Sequence, residues 1–254
     1  MELKLENKKI LITGASKGLG SVCAKALSDN DACLALLARS KEKLENVRKN
    51  CKNPEKHISI AVDLTNINEL HESVQKAKIF LGEINVILHV AGGGLGLKDP
   101  LIHYNDLLKL FTLNVSSAAE INRIIIPDMI KKRTGNIVHV GSTASRENTG
   151  SVGYNTVKAA LSAYVRSLGR ETAIHNVIIT GILPGGFYAP ENSWEKLKKD
   201  KPEIVDKWIE ENLPRKYMGD AKEIIPFILL LCSNSASMMG GCLIPIDAGQ
   251  GKSY

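Results

Sequence analysis

A serine, a tyrosine and a lysine lie at spacings that suit proton transfer. Small and apolar residues recur at helical spacing from Val152 onward, which predicts a helix with Tyr154 and Lys158 on one face. Ser142 follows an apolar run typical of a strand and begins a polar loop. A Tyr four residues before a Lys is equally typical of a plain helix surface, where the phenol packs on the lysine stem. The serine favours chemistry, because open α/β sheets bind ligands where a strand leads to a helix.

Short β-branched runs alternate with longer amphipathic runs along the chain, a pattern typical of βα units around a parallel sheet. It predicts strands over residues 9–13, 33–38, 58–62, 86–90, 136–140, 177–183 and 242–246. It predicts helices over residues 19–30, 41–50, 66–81, 104–111, 115–132, 152–174 and 221–231. No change of composition marks a second domain, so we expect one α/β domain over residues 1–254.

Charge and cysteine content limit the class of protein. The net charge of +6 comes from 33 basic and 27 acidic residues spread along the chain, which favours a small anionic ligand over nucleic acid. The five cysteines are scattered, so we expect reduced thiols and no metal site. The first residues lack the apolar core of a signal peptide, and no apolar run reaches membrane-spanning length. These features predict a cytoplasmic protein with no membrane partner.

The first predicted strand ends in a glycine-rich turn, TGASKGLG, that leads into a helix. Glycines let the backbone turn tightly and approach a pyrophosphate, which then meets free N–H groups at the helix N-terminus. The turn therefore predicts a dinucleotide-binding site, although a plain βα turn can also contain glycines. The candidate contact residues in this turn are Gly14, Ser16, Lys17, Gly18, Leu19 and Gly20.

The end of the second predicted strand bears on which cofactor binds. NAD-binding sites present a carboxylate at about this position, but this chain has Ala38 and Arg39. Arg39, with Ser16, Lys17 and Ser40 nearby, could hold a 2′-phosphate by charge-assisted hydrogen bonds. We therefore expect NADP(H) to be preferred over NAD(H). In the alternative interpretation, Arg39 and Lys17 are ordinary exposed cations.

Two later turns extend the predicted cofactor site. Asp63 and Leu64 follow the third strand, where the carboxylate can accept a hydrogen bond from an adenine amino group. Alternatively, Asp63 caps the next helix, a role that its polar neighbours could also fill. Ala91 and Gly92 follow the fourth strand, where small residues leave room for a ribose.

Several pieces of the sequence together resemble the short-chain dehydrogenase/reductase family: TGASKGLG, Asn114, Ser142, and YNTVK from Tyr154 to Lys158. The resemblance extends over residues 8–249 and includes the order and spacing of the motifs. It implies a single-domain Rossmann-type fold with a doubly wound sheet of seven parallel strands. It also implies a nicotinamide cofactor and a catalytic tetrad at those four positions.

Hydride chemistry and the resemblance give each tetrad side chain a role. Tyr154 is the acid/base, provided that its pKa falls from about 10 toward neutrality. Lys158 stabilises the phenolate and binds the nicotinamide ribose, while Ser142 holds the substrate oxygen. The resemblance implies that Asn114 orders a water in a proton path; alternatively, its side chain makes a hydrogen bond at a helix interface.

Two positions depart from the family pattern. Where members commonly read Asn-Asn-Ala-Gly, this chain reads His-Val-Ala-Gly from His89, so we expect altered side-chain bracing but intact backbone contacts to the cofactor. Pro184 and Gly185 match the family's Pro-Gly motif and belong to the predicted cofactor site. Ala189 replaces the Thr that usually anchors the nicotinamide carboxamide. Backbone groups or Tyr188 must then anchor it.

Two features predict a lid and an assembly. Residues 184–216 interrupt the βα alternation with glycines, prolines and two short charged helical patterns, so we expect a substrate lid there.

The helix over residues 115–130 carries apolar or small residues on more than one of its faces. One face of a sheet cannot cover all of them, so part of this apolar surface needs another partner. With the family resemblance, this predicts a homo-oligomer, in particular a tetramer.

The intact tetrad favours an NAD(P)-dependent oxidoreductase that interconverts an alcohol and a ketone over a catalytically silent binding protein. An epimerase or dehydratase of nucleotide sugars would need a larger C-terminal substrate domain. Within the family, segments such as HVAGGGLGLKDPL and LPGGFYAPEN resemble members associated with bacterial surface-sugar and flagellin modification, in pathways leading to nine-carbon acidic sugars. This resemblance predicts a small-molecule substrate, a sugar or an aminosugar.

The loops on either side of Tyr154 are rich in polar residues that suit a polyhydroxylated ligand: Ser145, Arg146, Glu147, Asn148, Tyr188, Glu191 and Asn192. We take Ser142, Arg146 and Tyr188 as candidate substrate contacts, with Arg146 placed to meet a phosphate or carboxylate. In the alternative, these residues form a solvated loop and the protein is a carbonyl reductase similar to 3-oxoacyl-(acyl-carrier-protein) reductases.

Overall fold

The computed structural model describes residues 3–253. The strands within that range are β1 (Lys9–Thr13), β2 (Cys33–Ala38), β3 (His57–Ala61), β4 (Val86–His89), β5 (Gly135–Val140), β6 (Val177–Pro184), β7 (Phe187–Tyr188), β8 (Gly219–Asp220) and β9 (Leu243–Ile246). Seven of these described strands pair in parallel in one sheet, in the order β3-β2-β1-β4-β5-β6-β9. The predicted fold class is confirmed.

Helices cover both faces of this sheet. They are α1 (Gly18–Asp29), α2 (Lys41–Lys49), α3 (Ile67–Leu81), α4 (Tyr104–Phe111), α5 (Ser117–Lys132), α6 (Val152–Ala173), α7 (Ser193–Asp200), α8 (Pro202–Asn212) and α9 (Ala221–Leu231). One core lies between the sheet and α1, α2 and α9, and the other lies between the sheet and α3, α5 and α6. Because β1 and β2 are buried on both faces, their sequences are continuous apolar runs rather than alternating ones.

The predicted helices over residues 104–111 and 115–132 are parts of one longer helical segment. A π-helical turn over Thr112–Ser116 joins α4 to α5. π-helical turns are rare and occur frequently at functional sites, because they change the direction of side chains and free backbone groups. Helical periodicity could not reveal this turn, since a single added residue barely disturbs the apolar pattern.

Residues 184–216 form a small structure beside the sheet together with Met218 and β8, which follow them. β7 pairs with β8, and α7 packs against α8 around a cluster made of Val205, Leu213 and Met218. The rings of Trp194 and Trp208 are tilted against each other, with their centroids 4.3 Å apart. The short β7–β8 ladder was not predicted, because two-residue strands leave no periodic signal.

The helix over residues 115–130 does not present to solvent the apolar faces from which an oligomer was predicted. The chain itself buries most of the apolar side chains of that helix, including Val115, Ala118, Ile121, Ile125, Ile126 and Met129. The large apolar side chains that are exposed include four on α4 and just before it, Leu101, Tyr104, Leu108 and Phe111, and others elsewhere on the surface, such as Ile79 and Met238. None of the helices within residues 3–253 combines the length and the apolar character that a membrane span needs.

Two buried histidines stack beneath α5 and α6. The rings of His89 and His139, at the ends of β4 and β5, are 4.6 Å apart. His89 Nε2 lies 2.9 Å from Asn122 Oδ1, and Asn122 Nδ2 donates to Tyr164 Oη at 3.0 Å. Burial lowers the pKa of His89 to about 4 and lowers the pKa of His139 well below its usual value. Both imidazoles are therefore neutral near pH 7.

Acid should destabilise the fold through His89. Below pH 6.5 the unfolded chain binds a proton at this residue, while the folded chain binds it only near pH 4. The free energy of unfolding should therefore fall by about 3 kcal/mol from this group between those pH values. Urea unfolding at pH 7 and pH 4 measures the loss. His89→Asn should remove that part of the loss, whereas the control His175→Asn should keep it; equal pH dependence in both variants would contradict the assignment.

Candidate active site

α6 brings the predicted tyrosine and lysine to the carboxyl end of β5. Lys158 is 3% exposed, and its Nζ donates to the carbonyl oxygen of Val140 at 3.0 Å. The same Nζ lies 5.7 Å from the centroid of the Tyr154 ring. The side chain of Ser142, which follows β5, is close enough to the Tyr154 phenol to lower its pKa, and Ser142 Oγ accepts from the Ala144 N–H at 3.2 Å. The structure thus brings these three predicted catalytic side chains together at one end of the sheet.

Burial governs how these groups ionise. Desolvation lowers the pKa of Lys158 to about 8. Burial also raises the pKa of Tyr154, and the nearby side chain of Ser142 only partly opposes this rise. We expected the pKa of Tyr154 to fall toward neutrality, and the residues of the chain do not produce that fall. The reason is that the desolvation of the phenolate outweighs the single interaction that stabilises it.

Asn114 lies in the π-helical turn and braces the loop after β4. Its Oδ1 accepts from the Gly93 N–H at 2.9 Å, and its Nδ2 donates to the carbonyl oxygens of Gly93 at 3.0 Å and Leu110 at 2.9 Å. The side chain is therefore engaged with a loop rather than at a helix interface. The backbone at Ala91 is held separately, because its N–H donates to Thr13 Oγ1 at 3.3 Å. These contacts hold the loop after β4, where this chain lacks the Asn-Asn pair that is common in the family.

Gly92 is packed against the tetrad. A Cβ atom at this position would lie 2.7 Å from Asn114 Oδ1 and 3.3 Å from Lys158 Nζ. Contacts that short force their neighbours to move. Because Gly92 has no side chain, Asn114 Oδ1 and Lys158 Nζ can lie close to its backbone.

The glycine-rich turn has the shape that a pyrophosphate requires. Gly14 and Gly18 have φ values of 71° and 59°, which favour glycine. A Cβ at Gly20 would lie 2.2 Å from the carbonyl oxygen of Gly14, so the turn closes only with glycine there. Leu19 is buried beneath the turn, and the side chain of Lys17 makes no cap on α1. A negatively charged group fits at this helix N-terminus.

The residues predicted to choose the cofactor lie where β1 and β2 end. Arg39 and Lys17 are exposed, and Ser16 is half-buried. Ser40 caps α2 by accepting from the Lys43 N–H at 3.4 Å. Because β1 and β2 are neighbouring parallel strands, the turns that carry these residues lie at the same edge of the sheet.

Asp63 remains a candidate for the adenine end of the site. Its Oδ1 accepts from the backbone N–H and the hydroxyl of Thr65, at 2.9 and 2.7 Å, and these bonds lower the pKa of the carboxyl group. The capping role at α3 belongs to Asn66, whose side chain accepts from Asn68 N–H and Glu69 N–H. The alternative interpretation of Asp63 as the helix cap is therefore wrong. Leu64 is buried next to it.

The loop after β6 contacts two parts of the chain that the sequence did not connect to it. The Gly18 N–H donates to the carbonyl oxygen of Pro190 at 2.7 Å. The Gly186 N–H donates to Gln250 Oε1 at 2.7 Å, and a Cβ at Gly185 would lie 2.5 Å from the same oxygen. Pro184 ends β6, and the nearby Ala189 is buried. Gln250 was missed, because no motif marks a side chain that bonds a backbone N–H 64 residues away.

The polar residues predicted to lie near the substrate have different environments in the structure. Arg146 is exposed and lines a groove with Arg166 and β9. Tyr188 is half-buried in β7, and burial raises its pKa. Ser145 Oγ is buried without a hydrogen-bond partner in residues 3–253.

The other polar loop residues bond within the protein. Glu147 accepts from the N–H groups of Lys252 and Ser253, and Asn148 accepts from Asn155. Glu191 pairs with Lys43, and Asn192 caps α7. Each of these four side chains therefore has a bonding role within the loops, which leaves fewer unengaged polar groups for a substrate.

Comparisons with known proteins agree with this geometry. A family model described as short chain dehydrogenase matches residues 8–200. The chain is 28% identical over 257 residues to 3-oxoacyl-(acyl-carrier-protein) reductase FabG of Aquifex aeolicus, which covers 98% of this chain and 99% of that protein.

Solved structures show the same fold. L-sorbose reductase from Gluconobacter frateurii, complexed with NADPH and L-sorbose, superimposes with a TM-score of 0.90, with 24% identity and all of both chains covered (100% and 100%). A 3-oxoacyl (acyl-carrier-protein) reductase from Agrobacterium tumefaciens with NADP bound gives a TM-score of 0.89, at 21% identity over 96% of this chain and 95% of that one.

Gly92→Ala should disturb the site, because the new methyl group displaces Asn114 and Lys158. We expect a loss of about 1 to 3 kcal/mol in the free energy of unfolding, measured with urea. Gly94→Ala is the matched control, since a Cβ there makes an ordinary 3.6 Å contact with the Tyr154 ring. The control should change stability by less than about 1 kcal/mol. Equal unfolding midpoints for the two variants would show that the space at Gly92 is not restricted.

Proposed function

The chain belongs to the short-chain dehydrogenase family, and we propose that it interconverts an alcohol and a ketone on a sugar or aminosugar with NADP(H). As a member of this family, the chain is an NAD(P)-dependent oxidoreductase that acts on hydroxyl and carbonyl groups. The observation that supports catalysis is the convergence of Ser142, Tyr154 and the buried Lys158 at one end of the sheet, with Asn114 bracing the adjacent loop. A silent binding protein would have no need to bury an ammonium group.

The proposed chemistry assigns proton transfer to Tyr154. A bound nicotinamide cofactor supplies or accepts the hydride. When the substrate is reduced, the Tyr154 phenol would give a proton to the substrate oxygen, and when it is oxidised, the Tyr154 phenolate would take that proton, while Ser142 holds the oxygen beside the ring. The chain alone does not favour the phenolate, so we propose that Lys158, whose Nζ lies 5.7 Å from the ring centroid, stabilises it together with the positive charge of a bound oxidised nicotinamide. Asn114 keeps the loop at Gly93 in place and so fixes the wall of the site.

We propose that the glycine-rich turn, Asp63, Leu64, Ala91 and the Pro184–Gly185 turn hold the cofactor. The proposed preference for NADP(H) depends on Arg39 and Lys17, because no carboxylate stands at the end of β2 to bind a ribose 2′-hydroxyl. A 2′-phosphate would find two exposed cations and the N-terminus of α2.

The proposed substrate is a sugar from a surface-glycan or flagellin-modification pathway. Support comes from the sequence segments named above and from Ser145, whose buried hydroxyl lies in the turn that begins at Ser142. A hydroxyl-bearing ligand would give that group a partner. Tyr188 is a second proposed contact, and Arg146 becomes one only if its side chain turns away from the groove beside β9.

The alternative substrate is a 3-oxoacyl thioester. This second candidate is favoured by sequence similarity, since the Aquifex aeolicus relative is a reductase of that class. The internal bonding of Glu147, Asn148 and Asn192 also leaves fewer polar groups for a sugar than the sequence predicted.

We also propose that residues 184–216 act as a substrate lid. The segment carries its own small core around Val205, so it can move as a unit. It contacts the cofactor turn through Pro190 and Gly18. Both tryptophans of the chain lie in it, which makes intrinsic fluorescence a reporter of its position.

The proposed assembly is a homotetramer, and the proposed location is the cytoplasm. Support for assembly now comes from the exposed apolar side chains of α4, such as Tyr104 and Leu108. Light scattering at micromolar concentration distinguishes a tetramer from a monomer.

The cytoplasmic proposal is supported by five free cysteines, which suit a reducing compartment.

An assay with NADPH tests the proposed function. Ketosugars are compared with an acetoacetyl thioester as acceptors of hydride from NADPH, and aminosugars are tested as hydride donors to NADP⁺; we expect turnover of a sugar. Tyr154→Phe should reduce kcat by about 10² to 10⁴ while NADPH still binds, because it deletes only the acid/base hydroxyl. The control Tyr104→Phe changes an exposed phenol on α4 and should leave kcat unchanged. Thioester turnover without sugar activity would overturn the sugar proposal, and near-normal turnover by Tyr154→Phe would overturn the role of the phenol.

A further inference from the structure

Glu191 lies where the segment of residues 184–216 meets the proposed cofactor site. Its carboxylate forms an ion pair with Lys43 of α2, and both side chains are 47% exposed. The preceding carbonyl, that of Pro190, accepts from the Gly18 N–H at 2.7 Å. Two independent contacts therefore hold this part of the segment against the glycine-rich turn and the start of α2.

Glu191 lies beside the region proposed for the 2′-phosphate, because its ion-pair partner Lys43 belongs to the first turn of α2 and donates its N–H to Ser40, the cap of that helix. The bond from Lys43 holds the pKa of Glu191 below its usual value, and the charge of Lys17, one of the cations proposed to bind the phosphate, contributes. The carboxylate therefore pairs with a cation at the N-terminus of α2, where the 2′-phosphate is proposed to bind.

We propose that Glu191 is a specificity-determining residue, which competes with the 2′-phosphate of NADP(H) for Lys17 and Lys43. The inference rests on the proposed preference for NADP(H). A phosphate monoester carries a charge of about −1.5 to −2 near pH 7 and repels a nearby carboxylate. NAD(H) has a neutral hydroxyl at that position, so its binding is not affected by this repulsion. Glu191 therefore reduces the advantage of NADP(H) over NAD(H).

The size of the effect follows from exposure. Ion pairs between half-exposed side chains contribute little, because water screens them. Removing the carboxylate should therefore tighten NADPH binding by about two- to fivefold, the change that corresponds to exposed charge pairs. The gain should shrink as salt is added, since the Debye length falls to about 3 Å at 1 M.

Isothermal titration calorimetry of NADPH and NADH with the full chain tests the proposal. Glu191→Gln should tighten NADPH by the stated factor at low salt and leave NADH unchanged. Glu203→Gln is the matched control, because it removes the same charge from an exposed position in α8 of the same segment. The control should change neither affinity. Tryptophan fluorescence in the same titrations reports whether the segment stays folded, since both tryptophans lie in it.

The outcomes separate this inference from the cofactor proposal. Arg39→Ala should weaken NADPH and leave NADH unchanged. If the unmodified protein binds both cofactors equally and Arg39→Ala affects neither, the proposed preference is wrong and the role of Glu191 falls with it. If the preference holds but Glu191→Gln leaves NADPH unchanged, the competition is absent. If Glu191→Gln weakens both cofactors alike, the ion pair with Lys43 only anchors the segment, and the proposal is overturned.

Discussion

The burial of one ammonium group, that of Lys158, is the constraint on which the rest of the site depends. An isolated buried ammonium is costly, and here it donates to a single backbone carbonyl, that of Val140. The result is a lysine whose pKa falls to about 8 and whose charge responds to small changes nearby. A side chain at Gly92 would press directly on this group. Three parts of the structure therefore depend on one another: β5, which supplies the carbonyl, α6, which supplies the lysine, and Gly92 beside them.

The sheet explains why these groups meet. Parallel strands deliver their carboxyl ends to one edge, so the turns after β1, β4, β5 and β6 lie side by side. The π-helical turn between α4 and α5 then directs Asn114 at the loop after β4. Below this edge, His89 and His139 keep the strand ends polar yet neutral, since burial holds both imidazoles unprotonated near pH 7. The two imidazoles buried below Lys158 therefore add no charge to its surroundings near pH 7.

The sequence predicted the parts of this structure that local patterns encode. The strands, the helix with Tyr154 and Lys158 and the glycine turn all follow from periodicity and from residues that are close in the chain. Contacts between distant residues could not be predicted that way, such as Lys43 with Glu191 or Gln250 with Gly186. The internal bonds of the polar loop residues could not be predicted for a related reason, because a polar side chain is as suited to holding a loop as to binding a sugar. The sequence also does not show that Tyr154 is buried, so the rise in its pKa could not be predicted.

The ionisation of Lys158 is the property that tests this account most directly. Carbon-13 NMR of lysine labelled at Cε follows each ammonium group as pH is raised, and a Lys158→Met variant identifies the resonance. One lysine, Lys158, should titrate near pH 8, because within residues 3–253 its buried ammonium donates to a single carbonyl oxygen. If the resonance that disappears in Lys158→Met does not titrate near pH 8, the ammonium of Lys158 is not desolvated and the proposed arrangement of the site is wrong.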